Sequence, residues 1–282
     1  MVKQTFKKYV IIFLLLLLIY LIQKSKVNER FTNIDNTTNK INYNNWFNKN
    51  LDLYYINLDI STERNENMIN QLNKFGIKYN RFNGTIIKYN RFNAFNGNKI
   101  DKKFNNNLFR DFNVLNTNGS IYKNKKGSLG NFISQLSCWY DFYLNSDKKY
   151  LMIMEDDIIL DKNFNTQTVY NYLKLLENEN WTILKFFCFN KRIGDEFKNS
   201  LIKAKSNKQN FRSRPNTGMQ CYIINKIHIK KIIEELLPIN NETFDWKIKY
   251  IMMSNNIYIT KKNYVSTPNH DTKSDRKNID KN

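Results

Sequence analysis

Two periods of hydrophobicity alternate along this chain. Residues 51–60, "LDLYYINLDI", are β-branched, aromatic and partly alternating, which predicts a strand. In "STERNENMINQLNKFG", Met68, Ile69, Leu72 and Phe75 fall at helical spacing, and Gly76 is placed to stop the helix. "IKYNRFN" occurs at 77–83 and again at 87–93, a local duplication that lengthens a strand or loop. Residues 98–126 are polar and rich in Lys and Asn, and read as a loop. Residues 127–147 predict an amphipathic helix whose stripe is Leu129, Phe132, Ile133, Leu136, Trp139, Tyr140 and Tyr143. "YLMIM" predicts a short buried strand, "FNTQTVYNYLKLLE" a helix, "WTILKFFCF" a strand, and 190–214 a Lys/Arg-rich loop. "TGMQCYIIN" predicts a strand and "KIHIKKIIEELL" a helix with Ile229, Ile232, Ile233, Leu236 and Leu237 on its core face. Strand and helix patterns alternate, so the fold class is an α/β sandwich on a mainly parallel sheet. In such sheets ligands bind beyond the carboxyl ends of the strands.

The amino-terminal residues follow neither pattern. Residues 9–22 are an unbroken apolar run, flanked by Lys7 and Lys8 before it and Lys24 and Lys26 after it. The run is short of the roughly 20 residues of a typical span. Lysine stems can snorkel and extend it, and no small-x-small cleavage site follows it. This predicts a signal anchor, an N-terminal transmembrane helix over 1–26, with a cleaved signal peptide as the alternative. Polar, aperiodic residues 27–49 read as a stem and 50–282 as the folded domain. The short tail before the anchor favours a type II, single-pass arrangement with the domain in the secretory lumen.

Composition changes this picture little. The chain has 282 residues, 41% hydrophobic and 15% aromatic, enough for a sizeable core. Its formal charge is +20, but the lysines are dispersed and no basic helix carries interleaved aromatics, which argues against nucleic acid as a partner. Cys138, Cys188 and Cys221 form no CxxC pair and read as buried thiols.

The candidate chemistry lies in "KYLMIMEDDIIL", where Glu155, Asp156 and Asp157 follow an apolar strand. Two carboxylates about 5 Å apart at an effective dielectric of about 20 repel by roughly 3 kcal/mol. Along an extended chain Glu155 and Asp157 point the same way. Such a pair of hard oxygen ligands suits Mn²⁺ or Mg²⁺, which in turn binds a diphosphate.

This arrangement resembles the DxD-type acids of GT-A glycosyltransferases. Three further blocks, in family order over residues 53–275, resemble glycosyltransferase family 25, which holds lipooligosaccharide and procollagen galactosyltransferases. They are "YYINLDISTERNENMINQL", "FNAFNG" at 92–97, and "GSLGNFISQLSCW". The resemblance implies a GT-A-like Rossmann-type sandwich and an inverting, metal-dependent hexosyl transfer from a UDP-hexose. The implied acceptor is a glycan or a collagen-like protein. It places Asn57, Asp59 and Arg64 on the nucleotide, with Gly127 and Gly130 letting the helix start approach it and Ser134 beside it. It places Glu155, Asp156 and Asp157 on the metal and nucleotide sugar, with late His270 as a further metal ligand. It makes Asp245, in "FDWKIKY", the general base, and matches Lys273–Arg276 ("KSDR") to the family's terminal S-D-x stretch. Two positions depart from the family: Gln135 stands where a histidine is usual, and Asn131 where a cysteine is usual. The alternatives are a catalytically inactive member that binds without turnover, or another metal-dependent phosphate enzyme using Asp59 and Asp245 as extra carboxylates.

Removing residues 1–26 is expected to yield a soluble domain with a cooperative thermal melt, because 9–22 is the long apolar run and a polar stem follows it. Aggregation without a cooperative transition would overturn the anchor reading.

Overall fold

The computed structural model describes residues 41–58, 61–74, 89–93, 126–190, 192–205, 216–237, 244–252 and 254–268. The anchor at 1–26, Asp59, Lys273–Arg276, His270 and nearly all of the 98–126 loop lie outside the described residues. Almost all described residues belong to one compact unit, Tyr43–Asn282.

The unit is built on an eight-stranded sheet of order β2-β1-β3-β8-β5-β9-β7-β6. The strands are β1 (Leu51–Asn57), β2 (Tyr89–Asn93), β3 (Tyr150–Glu155), β5 (Ile183–Lys185), β6 (Gly194–Phe197), β7 (Leu201–Ala204), β8 (Cys221–Asn225) and β9 (Ile257–Thr260). β1 runs parallel to both β2 and β3, and β5 runs parallel to β9. β8 runs antiparallel between β3 and β5, and β7 runs antiparallel between β9 and β6. The sheet is therefore mixed, a correction to the mainly parallel expectation. A second sheet pairs β4 (Ile159–Leu160) with β10 (Val265–Ser266).

Strand alternation sends side chains to two cores. Tyr54, Ile56, Ile153, Tyr222 and Ile224 face the first. They meet Phe132, Leu136 and Trp139 of α3 (Lys126–Asn145), Ile229 and Ile233 of α5 (Lys226–Leu236), and Phe244 and Ile248 of α6 (Phe244–Ile251). Leu53, Tyr55, Met152, Met154 and Ile223 face the second. They meet Phe47 of α1 (Tyr43–Asn50), Met68 and Leu72 of α2 (Thr62–Lys74), and Val169 and Leu173 of α4 (Thr166–Leu175). Each large side chain buried in this way contributes about 1.5–3 kcal/mol.

Two segments differ from the sequence reading. Residues 43–49, expected in the stem, form most of α1: Phe47 is fully buried, Trp46 meets Tyr170 edge-on with centroids 4.9 Å apart, and Thr166 donates to Asn44. The expected loop at 190–214 contains the β6–β7 hairpin.

That hairpin is tied to the sheet through a buried cation. Asn216, at φ 59°, pairs its amide with both backbone groups of Ile193 at 2.8 Å, and its carbonyl accepts from Lys185 Nζ at 2.6 Å. Burial pulls the Lys185 ammonium down from 10.5 to about 8. A base whose folded value is depressed carries its full penalty below that value, and the penalty fades as pH climbs toward the unfolded value. Relative to Lys185→Met, the wild type should therefore gain up to about 3 kcal/mol between pH 8 and 10.5. Paired denaturant titrations across that range test this, and equal slopes for the two proteins would refute it.

Candidate active site

β3 ends at Glu155, and Asp156 and Asp157 form the turn that follows. The extended-chain expectation that Glu155 and Asp157 share a direction therefore stops at the strand end. Glu155 continues the strand alternation toward α3, where its Oε1 accepts from Asn131 Nδ2 at 3.0 Å and Gln135 Nε2 at 3.4 Å. Asp156 turns the other way, toward α2. Its Oδ2 accepts from Asn57 Nδ2 at 2.6 Å and its Oδ1 pairs with Arg64 Nη1 at 3.4 Å. Asp156 is 8% exposed, so this pairing satisfies a nearly buried charge. Asp157 is held differently: its Oδ1 is buried with no hydrogen-bond partner.

Behind Glu155 runs a buried relay. Trp139 Nε1 donates to the Tyr222 hydroxyl at 2.7 Å, which donates to Gln135 Oε1 at 2.6 Å, and the Gln135 amide donates on to Glu155. Gln135 is fully buried and uses its acceptor and its donor at once. Burial pushes the Tyr222 phenol well above its ordinary value, and the negative charges of Glu155 and Asp245 add to the shift. Asp245, in the first turn of α6, also lies within the electrostatic reach of Lys185.

The fold thus brings together Asn57, Arg64, Glu155, Asp156 and Asp157, with Asp245 in electrostatic range of their support. Gly127 and Gly130 sit in the opening turns of α3, and Gly130 is buried. Ser134 lies one turn after Gly130 on the same helix. It is 1% exposed and its hydroxyl donates to the Gly130 carbonyl at 2.7 Å, a back-bond within its own helix. The sequence reading missed Gln71. Its amide donates to the Ile158 carbonyl at 2.8 Å and accepts from Leu160 N–H at 2.7 Å, clamping the chain just beyond the acids to α2. Nothing in the periodicity separates Gln71 from its polar neighbours on that helix. Tyr222 was equally hidden in a strand that reads as uniformly apolar.

Among the described residues no group of three His, Cys, Asp or Glu side chains converges to hold a metal ion alone. The residues still fit a hard cation, because Asp157 offers a buried carboxylate oxygen that no protein donor claims. Mg²⁺-type sites characteristically take one or two carboxylates and complete their shell with water and substrate phosphate.

A family model described as glycosyltransferase family 25 (LPS biosynthesis protein) matches residues 50–248. Comparison with curated proteins finds no match. Among solved structures the chain is similar to a glycosyltransferase involved in glycosylation of the major capsid of PBCV-1, with TM-score 0.41, 7% identity, and 82% of this chain and 97% of that one covered. It is also similar to S. aureus TarS 1-349 in complex with UDP-GlcNAc, with TM-score 0.38, 9% identity, and 79% and 60% covered. A197 from STIV gives TM-score 0.36, 8% identity, and 77% and 83% covered.

The relay makes a prediction for Gln135. Gln135→Leu strands the Tyr222 hydroxyl and strips a donor from Glu155, and should cost about 1–3 kcal/mol in urea unfolding. Gln135→His offers one donor and one acceptor as a neutral imidazole and should stay within about 1 kcal/mol of wild type. A leucine variant as stable as wild type would mean that the relay carries no weight.

Proposed function

The chain belongs to glycosyltransferase family 25, and from that premise we propose that it moves a hexose, galactose or glucose, from a UDP-sugar to a hydroxyl of a glycan or collagen-like protein. The observation that carries this reading is the arrangement of the three acids. Two are tethered to opposite helices, and the third keeps a buried oxygen without a partner at the carboxyl end of β3. That is the edge where ligands of α/β sheets bind, in keeping with a GT-A-like fold.

In this reading Asn57, Asp59 and Arg64 line the nucleotide, and Gly127 and Gly130 allow the start of α3 to approach it. Asp157, with Glu155 and His270, would hold Mn²⁺ or Mg²⁺, which when bound supplies positive charge to the diphosphate and its departure. The protein's own part is positioning. Asn131 and Gln135 fix the Glu155 carboxylate, Asn57 and Arg64 fix Asp156, and Gln71 fixes the backbone that follows. Inverting transfer needs a base for the acceptor hydroxyl as it attacks the anomeric carbon. Asp245 fills that role, accepting the proton while UDP leaves from the opposite side of the sugar. Gln135 in place of the family histidine favours the inactive-member alternative only if an imidazole is needed for chemistry. Its use as both donor and acceptor to neighbouring side chains favours a supporting role. Residues 1–26 would hold this domain on a membrane as a type II anchor, with the domain in the secretory lumen. Among the described residues no helix is long and apolar enough to cross a membrane, and the anchor lies outside them.

Asp157→Asn should abolish Mn²⁺-dependent UDP-sugar binding and UDP release while leaving the melting temperature unchanged or higher. The substitution removes one of three adjacent charges and turns the carboxylate that carries the buried unpartnered oxygen into a neutral amide, a poor ligand for a hard cation. Calorimetric UDP-sugar binding with and without Mn²⁺, alongside a thermal melt, checks it. Wild-type turnover in the variant would exclude the metal role of Asp157.

A further inference from the structure

Several polar side chains at the ligand edge of the sheet are spent on the protein itself. Asn57 and Arg64 hold Asp156, Asn131 and Gln135 hold Glu155, and Asn216 holds both backbone groups of Ile193. Gln220 is different. It is 7% exposed, and its amide oxygen is buried without a hydrogen-bond partner. Buried amides in folded proteins nearly always find a partner, so one kept unpaired calls for a reason.

The surroundings make room for this amide. Gly218 takes φ +103°, and a Cβ there would lie 2.9 Å from Gln220 Oε1 and 2.9 Å from Phe187 Cδ1. Glycine thus leaves the space beside the amide open, besides tolerating the left-handed backbone. The main chain on either side is fixed. Lys185 Nζ donates to the Asn216 carbonyl at 2.6 Å, Phe189 N–H to the Thr217 carbonyl at 3.1 Å, and Phe186 N–H to the Cys221 carbonyl at 3.0 Å.

The place of Gln220 in the sheet says what it faces. Cys221 pairs with Met154, and one step on Glu155 N–H donates to the Gln220 carbonyl at 2.9 Å. Gln220 therefore stands opposite Glu155, beside the acid cluster. Strands β1, β3 and β8 are successive neighbours in the sheet. Asn57, Glu155 and Gln220 thus mark successive points along the edge, one strand spacing of about 5 Å apart. In a nucleotide sugar the nucleoside, the diphosphate and the hexose are joined in that order. With the nucleoside at Asn57 and Arg64 and the diphosphate at the acids, the hexose falls at β8. A ring hydroxyl both donates and accepts, so it can serve the amide in either orientation.

We propose that Gln220 is a specificity-determining residue that hydrogen-bonds a ring hydroxyl of the transferred hexose. The inference deepens the transferase reading and rests on it for the donor and for where the nucleoside lies. Galactose and glucose differ only in the direction of one hydroxyl. A buried amide that the wrong epimer leaves unpaired discriminates against that epimer.

The test uses the full-length chain as wild type, Gln220→Met and Gln220→Leu. Affinities for UDP, UDP-galactose and UDP-glucose in Mn²⁺ are read by calorimetry, beside thermal melts. Both variants should lose about fivefold or more in affinity for the preferred UDP-hexose while binding UDP within about twofold of wild type. Their galactose-to-glucose affinity ratio should move toward one. Melting temperatures should stay level or rise, because an unpaired buried amide is removed. A lower melting temperature in both variants overturns the proposal in favour of a structural amide. UDP-hexose affinity equal to wild type overturns it too, and means that water alone serves the amide. Equal losses for UDP and UDP-hexose overturn it in favour of a support for the acids. In these three cases the wild type still binds its donor, and the transferase reading stands. A wild type that binds neither UDP nor either UDP-hexose overturns that reading and the proposal with it.

Discussion

Three adjacent carboxylates at the end of a buried strand must each be given separate surroundings, and the architecture follows from how that is done. Each close pair costs roughly 3 kcal/mol at an intermediate dielectric, against a total stability of about 5–15 kcal/mol for a typical domain. Strand alternation provides the first separation, sending Glu155 toward one helical layer and Asp156 toward the other. α3 answers with two neutral amides and α2 with a guanidinium, joined by Asn57 from the neighbouring strand. Both helices must therefore dock in one register. The buried stripes of Phe132, Leu136 and Trp139 on one side, and Met68 and Leu72 on the other, set that register.

The reversal of β8 completes the arrangement. It sets Tyr222 opposite Ile153 on β3 and Lys185 on β5, in the middle of the sheet under α3. The phenol there joins Trp139 to Gln135 and so to Glu155. Because β8 runs against its neighbours, its leading residues 216–220 lie at the ligand edge of the sheet, where Glu155 N–H donates to the Gln220 carbonyl at 2.9 Å. One reversed strand thus serves the acid cluster from behind through a side chain and from beside through its backbone. Buried polar networks with every member satisfied hold one arrangement against alternatives, which is what a positioned carboxylate requires.

The parts of this that could be read in the sequence are those with strong periodicity. α3 and β3 carry long apolar patterns and appear within a residue or two of expectation, and the acids fall at the strand end as read. Strand direction was not legible, because β8 is buried on both faces and an unbroken apolar run reads alike in either sense. The β6–β7 hairpin was hidden by its turn. Three residues join the paired ends Phe197 and Leu201. Lys198 and Asn199, at the centre of the turn that Ser200 N–H closes onto the Phe197 carbonyl, both adopt positive φ, 46° and 58°. A Lys-Asn pair lacks the glycine that normally announces such a turn. α1 was hidden by composition, since "YNNWFNKN" offers little beyond Trp46 and Phe47 to bury.

Net charge is a poor guide to what such a site selects. At physiological ionic strength the Debye length is about 8 Å, so dispersed exposed lysines can draw anions toward the molecule without sorting them at contact. Sorting falls to groups at hydrogen-bonding distance, and here these differ sharply over a short run of chain. At 155–157 carboxylates are braced by amides and by Arg64, and Asp157 Oδ1 is buried without a hydrogen-bond partner. From Ile159 onward the described residues that line a neighbouring cavity are aromatic, apolar or neutral, with Asp161 as the one carboxylate among them. The Gln71 clamp, which grips the chain at Ile158 and Leu160 on the boundary between the two regions, keeps them in fixed register.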